Sequence, residues 1–453
     1  MVRWRPMARR ASLAMMLVFV SAAACKRGAP AGGQAVDAGS PVESARVGMV
    51  GATDGGTDGA IFSLPIAGAR VPGSDASGGV VAVGLVVVNR SITAQRIDSD
   101  GKVVWTRAAI PDVSWSADAE LHAWPVAAGE AIVWRGPVGK KSGHVAVVLG
   151  ADGRVIDGPI EVGSFVCATD DGLAWSDGAA NGATRVRLRT YASGGASHDD
   201  TGPALMADFS LTCGAHRAFA LSEGDESTPT KVYRIGGEAG PLEPLATITA
   251  LTLGRDEERD LFPWVDGDEI GLVRVAQGGE VQAATLHDGA ASLIHADRAR
   301  VVPEDDVVGI DADARQVVVV TTHDESDACP NGRGGSSVNA LKIPRAGGSA
   351  TSLRLAPAGC GKDVGPFWTN SFGRSVVVAW PERSSRPAKT SAPVTGLAYR
   401  TLEEGGATGR IALLADAIAD AGCDERRCYA VALVRKPGDD GSKPEATSVL
   451  AYP

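Results

Sequence analysis

The chain has 453 residues, a formal net charge of −10 and 5% aromatic residues. An acidic balance of this size is wrong for a surface built on phosphate attraction, so nucleic acid and anionic headgroups are not expected as partners. Glycine at 57 positions is roughly twice the usual ~7%, which indicates many tight turns.

Residues 1–24 have the layout of a signal peptide. Arg3, Arg5, Arg9 and Arg10 precede an apolar run from Ala11 to Val20, and small residues follow. That run is about half of the ~20 residues a helix needs to span a bilayer, so removal is expected and not permanent insertion. Loss of the four arginines takes the charge from −10 to −14. Ser21-Ala22-Ala23-Ala24-Cys25 resembles the lipobox of bacterial lipoproteins, with Ala22 where that family has Leu or a similar residue. The resemblance implies that Cys25 is diacylated and becomes the N-terminus, anchoring the protein in a membrane. Ordinary signal-peptidase cleavage nearby is the alternative. Residues 25–60, with Ala29-Pro30-Ala31-Gly32-Gly33 and a Gly/Thr/Asp run from Gly51 to Gly59, contain too few large apolar side chains to offset the entropy of ordering. They read as a flexible tether.

From Ile61 to Pro453 short strands rich in Val, Leu and Trp recur, each closing a Gly- or Asp-containing turn. Their end positions are Val88, Trp134, Trp175, Leu221, Val273, Val320, Trp380 and Leu433, a spacing in the range of propeller blades. Each anchor is followed by a polar loop and a further strand, such as Thr184 to Tyr191 or Ser337 to Ile343. Arg185-Val186-Arg187-Leu188-Arg189 alternates as a strand with one buried face does. Asp100-Gly101, Asp152-Gly153 and Asp288-Gly289 supply the positive φ angles that two-residue hairpins require. The expected fold is all-β, a single β-propeller over 61–453 with eight four-stranded antiparallel blades, or seven if the first unit is incomplete. The last unit stops one strand short, and the lone strand at Ile61 to Ile66 is expected to fill its sheet and close the ring.

Seven cysteines become six once Cys25 is set aside, an even number that in an exported protein suggests three disulfides. Cys167 and Cys213 each lie eight residues before an anchor, in consecutive units, and are expected to bridge two innermost strands. Cys423 and Cys428 flank a tight Asp-Glu-Arg-Arg turn, and Cys329 and Cys360 remain to pair. Metal-binding or redox spacing of the Cys-x-x-Cys kind is absent.

Asp98-Ser99-Asp100-Gly101-Lys102-Val103-Val104-Trp105 resembles the blade end of quinoprotein dehydrogenases and of the propeller lipoprotein of outer-membrane β-barrel assembly, over about ten residues of one unit. An ordinary hairpin with Trp105 packed between blades is the alternative. Asp98 to Gly101, Asp266 to Glu269 and Asp311 to Asp313 invite a calcium reading but do not complete a calcium loop, so polar turns are expected. His323-Asp324-Glu325-Ser326-Asp327 is the densest ionisable cluster beside a histidine and reads as a solvated loop. Trp115, Trp124, Trp264 and Trp368 precede hairpins near the expected channel mouth, where an aromatic ring can stack on a sugar. No serine elbow, phosphate loop or zinc-protease motif is present. No catalytic residue, cofactor or metal is assigned, and a monomer is expected.

Val376-Val377-Val378-Ala379-Trp380 and Thr93-Ala94-Gln95-Arg96-Ile97-Asp98 typify the units, and with them the whole mature chain resembles bacterial β-propeller-repeat lipoproteins, a likeness that implies architecture and no activity. The expected role is a membrane-anchored binding or scaffolding module of the cell envelope for a protein or glycan. A propeller hydrolase, lyase or quinoprotein with a site at the central channel is one alternative, and an outer-membrane assembly component is another. Lys26 is not the inner-membrane retention residue known from some enteric bacteria, so the outer membrane is the expected location.

Overall fold

The computed structural model describes strands and turns between Ile61 and Tyr452. Residues 1–60 lie outside the description, as do several loops, the longest being 237–245, 249–259, 325–335, 357–367, 384–393 and 435–445. Among the described residues there is no helix. Eight four-stranded antiparallel sheets follow one another along the chain. Sheets 1 to 7 span 67–110, 120–161, 166–206, 209–248, 260–294, 306–356 and 368–415. Sheet 8 takes three strands from 417–452, and its fourth is Ile61–Leu64, paired antiparallel with Ala446–Tyr452 so that Ile61 faces Leu450. Each of the first seven sheets is a simple meander. Seven of the eight anchor residues lie on the second strand of their sheet, and Val88 falls just past Val80–Val86, outside the described residues.

First strands lie against first strands. Ala67–Arg70 contacts Glu120–Val126, which contacts Val166–Thr169, and the series continues through Phe209–Cys213, Asp260–Asp266, Asp306–Ala312, Trp368–Phe372 and Ala417–Cys423; the last also contacts Ala67–Arg70.

The hydrophobic core is divided among the spaces between consecutive sheets. Ile132 and Trp134 of sheet 2 pack with Val81, Val83 and Ile92 of sheet 1. Ala131 and Val133, on the opposite face of the same strand, pack with Leu173, Trp175 and Tyr191 of sheet 3. Sheet 6 repeats the arrangement: Val317 and Val319 pack against Trp264 and Val273 of sheet 5, while Val318 and Val320 pack against Val376, Val378 and Trp380 of sheet 7. Successive strand side chains point to opposite faces. A strand covered on both faces therefore reads as an unbroken apolar run, as Val317-Val318-Val319-Val320 does.

Two sequence expectations need correction. The anchors are not one equivalent position: Trp134, Trp175 and Trp380 point to the preceding sheet, whereas Leu221, Val273 and Val320 point to the following one. With a side-chain period of two, an offset of one residue reverses the face. The hairpin at Asp152-Gly153 holds three residues, not two. Gly150 N–H donates to Arg154 O at 2.8 Å, and Gly153 alone takes a positive φ of 76°. A Cβ there would lie 2.9 Å from the Trp105 ring, which packs over this turn and donates from Nε1 to Ala151 O. Trp105 therefore joins sheet 1 to sheet 2, the packing role that its sequence context left open.

Trp134 is completely buried between sheets 1 and 2. Trp134→Ala should cost about 3–5 kcal/mol, read as a lower denaturation midpoint.

Candidate functional site: a polar rim and an open cleft

The turns between first and second strands gather at one end of the sheets, where they bond to one another. Asp170 N–H (sheet 3) donates to Ala215 O (sheet 4) at 2.7 Å, and Ala215 N–H donates to Gly267 O (sheet 5) at 2.8 Å. His216 N–H donates to Asp268 Oδ1 at 2.8 Å, and its ring Nδ1 lies 3.3 Å from Asp171 Oδ2. A histidine from sheet 4 thus stands between carboxylates of sheets 3 and 5. The two-residue turn Gly267-Asp268 fits because Gly267 adopts a φ of 59°, the left-handed region that glycine enters without steric cost.

The row continues to sheet 6 through Arg345, on the turn between its third and fourth strands. Its guanidinium donates to Asp266 Oδ2 at 2.5 Å, to Glu269 Oε2 and to Asp313 O at 3.0 Å. The same group lies 5.0 Å from the centre of the Trp264 ring. Burial alone would lower its pKa; the Glu269 and Asp266 carboxylates outweigh that and raise it. A planar cation with several donors suits this role, because it satisfies two carboxylates and a carbonyl while stacking on an aromatic face.

Beside the rim, an open cleft of about 430 Å³ separates sheets 4 and 5. It is lined by Phe219, Arg234, Asp268, Glu269, Ile270, Leu286 and His287. Phe219, Ile270 and Leu286 are buried and form an apolar floor, while Arg234, Asp268 and His287 stand exposed around it. Transition-state stabilisation by fixed charges depends on excluding water. Here the groups are solvated, His216 being 61% exposed, so the arrangement is suited to recognition of a partner bearing both polar and apolar groups.

The chain has also been compared with known proteins. No family model matches it, and no curated protein does. Among solved structures it is similar to the prolyl endopeptidases of a mechanistic study, at 10% identity and a TM-score of 0.46, over 81% of this chain and 55% of theirs. Others are the β-propeller domain of the trilobed protease from Pyrococcus furiosus (12%, 0.41, 75% and 97%) and the WD40 domain of SCAP from fission yeast (9%, 0.40, 86% and 98%). These are distant likenesses, and the site above rests on the residues of this chain.

The acidic stretches considered for calcium are engaged as turn caps and ion-pair partners. Asp98 Oδ1 accepts Lys102 N–H, and Asp313 Oδ1 accepts the N–H groups of Arg315 and Gln316. Among the described residues no three or more His, Cys, Asp or Glu side chains converge as a metal set. Of the four tryptophans placed near the channel mouth, Trp264 is buried beneath Arg345, and Trp124 is stacked on His122 with ring centres 5.3 Å apart. Trp115 and the Trp368 side chain lie outside the described residues. His122 also meets Glu120, which Arg135 pairs at 2.6 Å. Burial pushes the Glu120 carboxyl up, but these two partners outweigh it and hold it below its ordinary value.

A disulfide joins Cys167 on the first strand of sheet 3 to Cys213 on that of sheet 4, with Cα atoms 5.8 Å apart. Closing a loop of this length is worth roughly 3–5 kcal/mol in the chain-entropy view. Cys423 and Cys428 face each other in register at the hairpin of sheet 8, their side chains outside the description. Cys25, Cys329 and Cys360 lie outside the described residues altogether.

Sequence reasoning missed Arg345, Arg234 and the Asp171–His216 pairing. No local motif could have signalled Arg345, whose carboxylate partners are 76 and 79 residues away.

A second charged junction joins sheets 2 and 3. Arg189 forms a two-pronged pair with Asp199 at 2.5 and 2.7 Å and also reaches Asp157 at 2.9 Å, while Tyr191 Oη donates to Asp157 at 3.0 Å. The hydrogen bonds from Arg189 hold the Asp199 carboxyl below its ordinary value. Its stabilising contribution is therefore present above the unfolded aspartate pKa and is lost as pH falls through the lowered one. Asp199→Asn should flatten the acid limb of the stability–pH curve, measured by denaturation at a series of pH values, with the neutral-pH plateau closer to that of the variant.

Proposed function

We propose that the chain is an eight-bladed β-propeller, closed by its N-terminal strand and held to the cell envelope through a lipid on Cys25 and the tether 26–60. In this reading it serves as a binding module for an envelope protein or glycan. The series of first-strand contacts, with Ala417–Cys423 against Ala67–Arg70, supports the wheel. The pairing of Ile61–Leu64 with the final strand supports its closure. The observation that carries the binding role is the open cleft between sheets 4 and 5, whose exposed Arg234, Asp268 and His287 surround an apolar floor. A cleft of this kind offers directional polar contacts and an apolar contact area together, the combination that recognition sites use. The lipid anchor and outer-membrane placement rest on the Ser21 to Cys25 pattern and on Lys26.

Two outcomes are expected. Deleting residues 61–66 removes the strand that covers the edge of Ala446–Tyr452 and should lower the melting temperature by many degrees, whereas an unchanged melt would refute closure. Affinity purification of the tethered protein from envelopes should recover a partner that is lost with Arg234→Ala/His287→Ala while the melting temperature stays constant. Equal recovery by both proteins would remove the cleft from the binding role, and turnover of a glycan by purified protein would favour the enzyme alternative.

A further inference from the structure

At the other end of sheet 6, where the first strand begins and the second one ends, three side chains converge independently of the rim. Asp305 immediately precedes the strand Asp306–Ala312, and Thr321 and His323 lie near the end of Gln316–Asp324. The Asp305 side chain is 1% exposed. Thr321 Oγ1 donates to its Oδ2 at 2.8 Å, and His323 Nδ1 stands 2.8 Å from its Oδ1.

A carboxylate offers only acceptors, so Nδ1 of His323 carries the proton in this contact. The lone pair of the neutral ring is then on Nε2, and the side chain is 36% exposed. A buried carboxylate must be satisfied, and a second hydroxyl or an amide would do this as well as an imidazole. The imidazole adds a donor atom of fixed tautomer and direction, held at the surface by a buried carboxylate. Histidines that ligate transition metals are oriented in this way, their second nitrogen donating to a carboxylate.

We propose that His323 Nε2 is a ligand for a borderline divalent cation, of the zinc, copper and nickel class that imidazole suits, with Asp305 as the outer carboxylate that sets the ring. Water and the oxygen donors that the sequence places directly after His323, beginning with Asp324, complete the coordination. This site is separate from the cleft, and neither depends on the other.

Calorimetric titration of the purified full chain with zinc chloride, after chelator treatment, tests it. One ion per chain should bind with a saturable isotherm. His323→Gln should abolish binding, and Asp305→Asn should weaken it about 10–100-fold. His216→Gln and His287→Gln, on the rim and in the cleft, should bind as the parent does. Melting curves in metal-free buffer report whether each variant is folded, and copper-loaded samples should show nitrogen coupling in their electron paramagnetic resonance spectrum that His323→Gln loses. Absence of saturable binding by the parent overturns the proposal, as does parent-like affinity in His323→Gln or in folded Asp305→Asn, or loss that follows the rim histidines instead.

Discussion

Burial of each sheet on both faces is the constraint on which the molecule depends. No sheet has an interior of its own: Trp134 is enclosed only because sheet 1 supplies Val81, Val83 and Ile92, and Val320 only because sheet 7 supplies Val376 and Val378. A four-stranded meander of this composition would expose an apolar face on one side or the other if isolated, as repeat units generally do. Sequential stacking solves this for every sheet except the terminal ones. Contact between the first strands of sheets 8 and 1, and the insertion of Ile61–Leu64 into sheet 8, address the ends.

Polar chemistry is excluded from those interfaces and collects where strands turn. The bonds that cross from sheet to sheet there are short-range and directional, so they set the angle between neighbours in a way that apolar packing does not. Asp170 to Ala215, Ala215 to Gly267 and His216 to Asp268 tie three successive turns, and Arg345 ties the next. The disulfide between Cys167 and Cys213 acts across the same boundary as the first of these links. Sheets 3 to 6 are therefore held by covalent, ionic and backbone contacts in addition to the apolar layers, and the open cleft lies in the middle of that segment. A binding surface benefits from such support, since a cleft with fixed walls loses less conformational freedom when it is occupied.

Much of the architecture was legible because it is written in local patterns. Asp266-Gly267-Asp268-Glu269 could be read as a turn, Val317-Val318-Val319-Val320 as a strand without an exposed face, and Ile61-Phe62-Ser63-Leu64 as a strand without a neighbour in sequence. The phase of the pattern was less accessible. Whether Leu221 points to the preceding or the following sheet depends on a single residue of register, and a loop of variable length erases that information between units. The site was less legible still. His323 could be seen within a charged segment, but its partner Asp305 is 18 residues earlier, and only the antiparallel pairing of two strands brings them together.

That difference between fold and site follows from how each is encoded. The apolar layers repeat, so any one error is outvoted by the other units; Trp134, Trp175 and Trp380 identify strands even though Val88 falls beyond one. The polar contacts occur once each and join different sheets, so no second copy announces them. In such a molecule the informative residues for function are those that break the repeat: Arg345 on a turn whose counterparts lack it, His216 between two carboxylates, and Asp305 buried where a neutral group would serve. Selection for packing alone does not require a buried carboxylate to be satisfied by an imidazole whose other nitrogen faces water. A ligand that uses that nitrogen supplies a reason for the choice, and this is why the end of sheet 6 opposite the rim stands out from an otherwise repetitive frame.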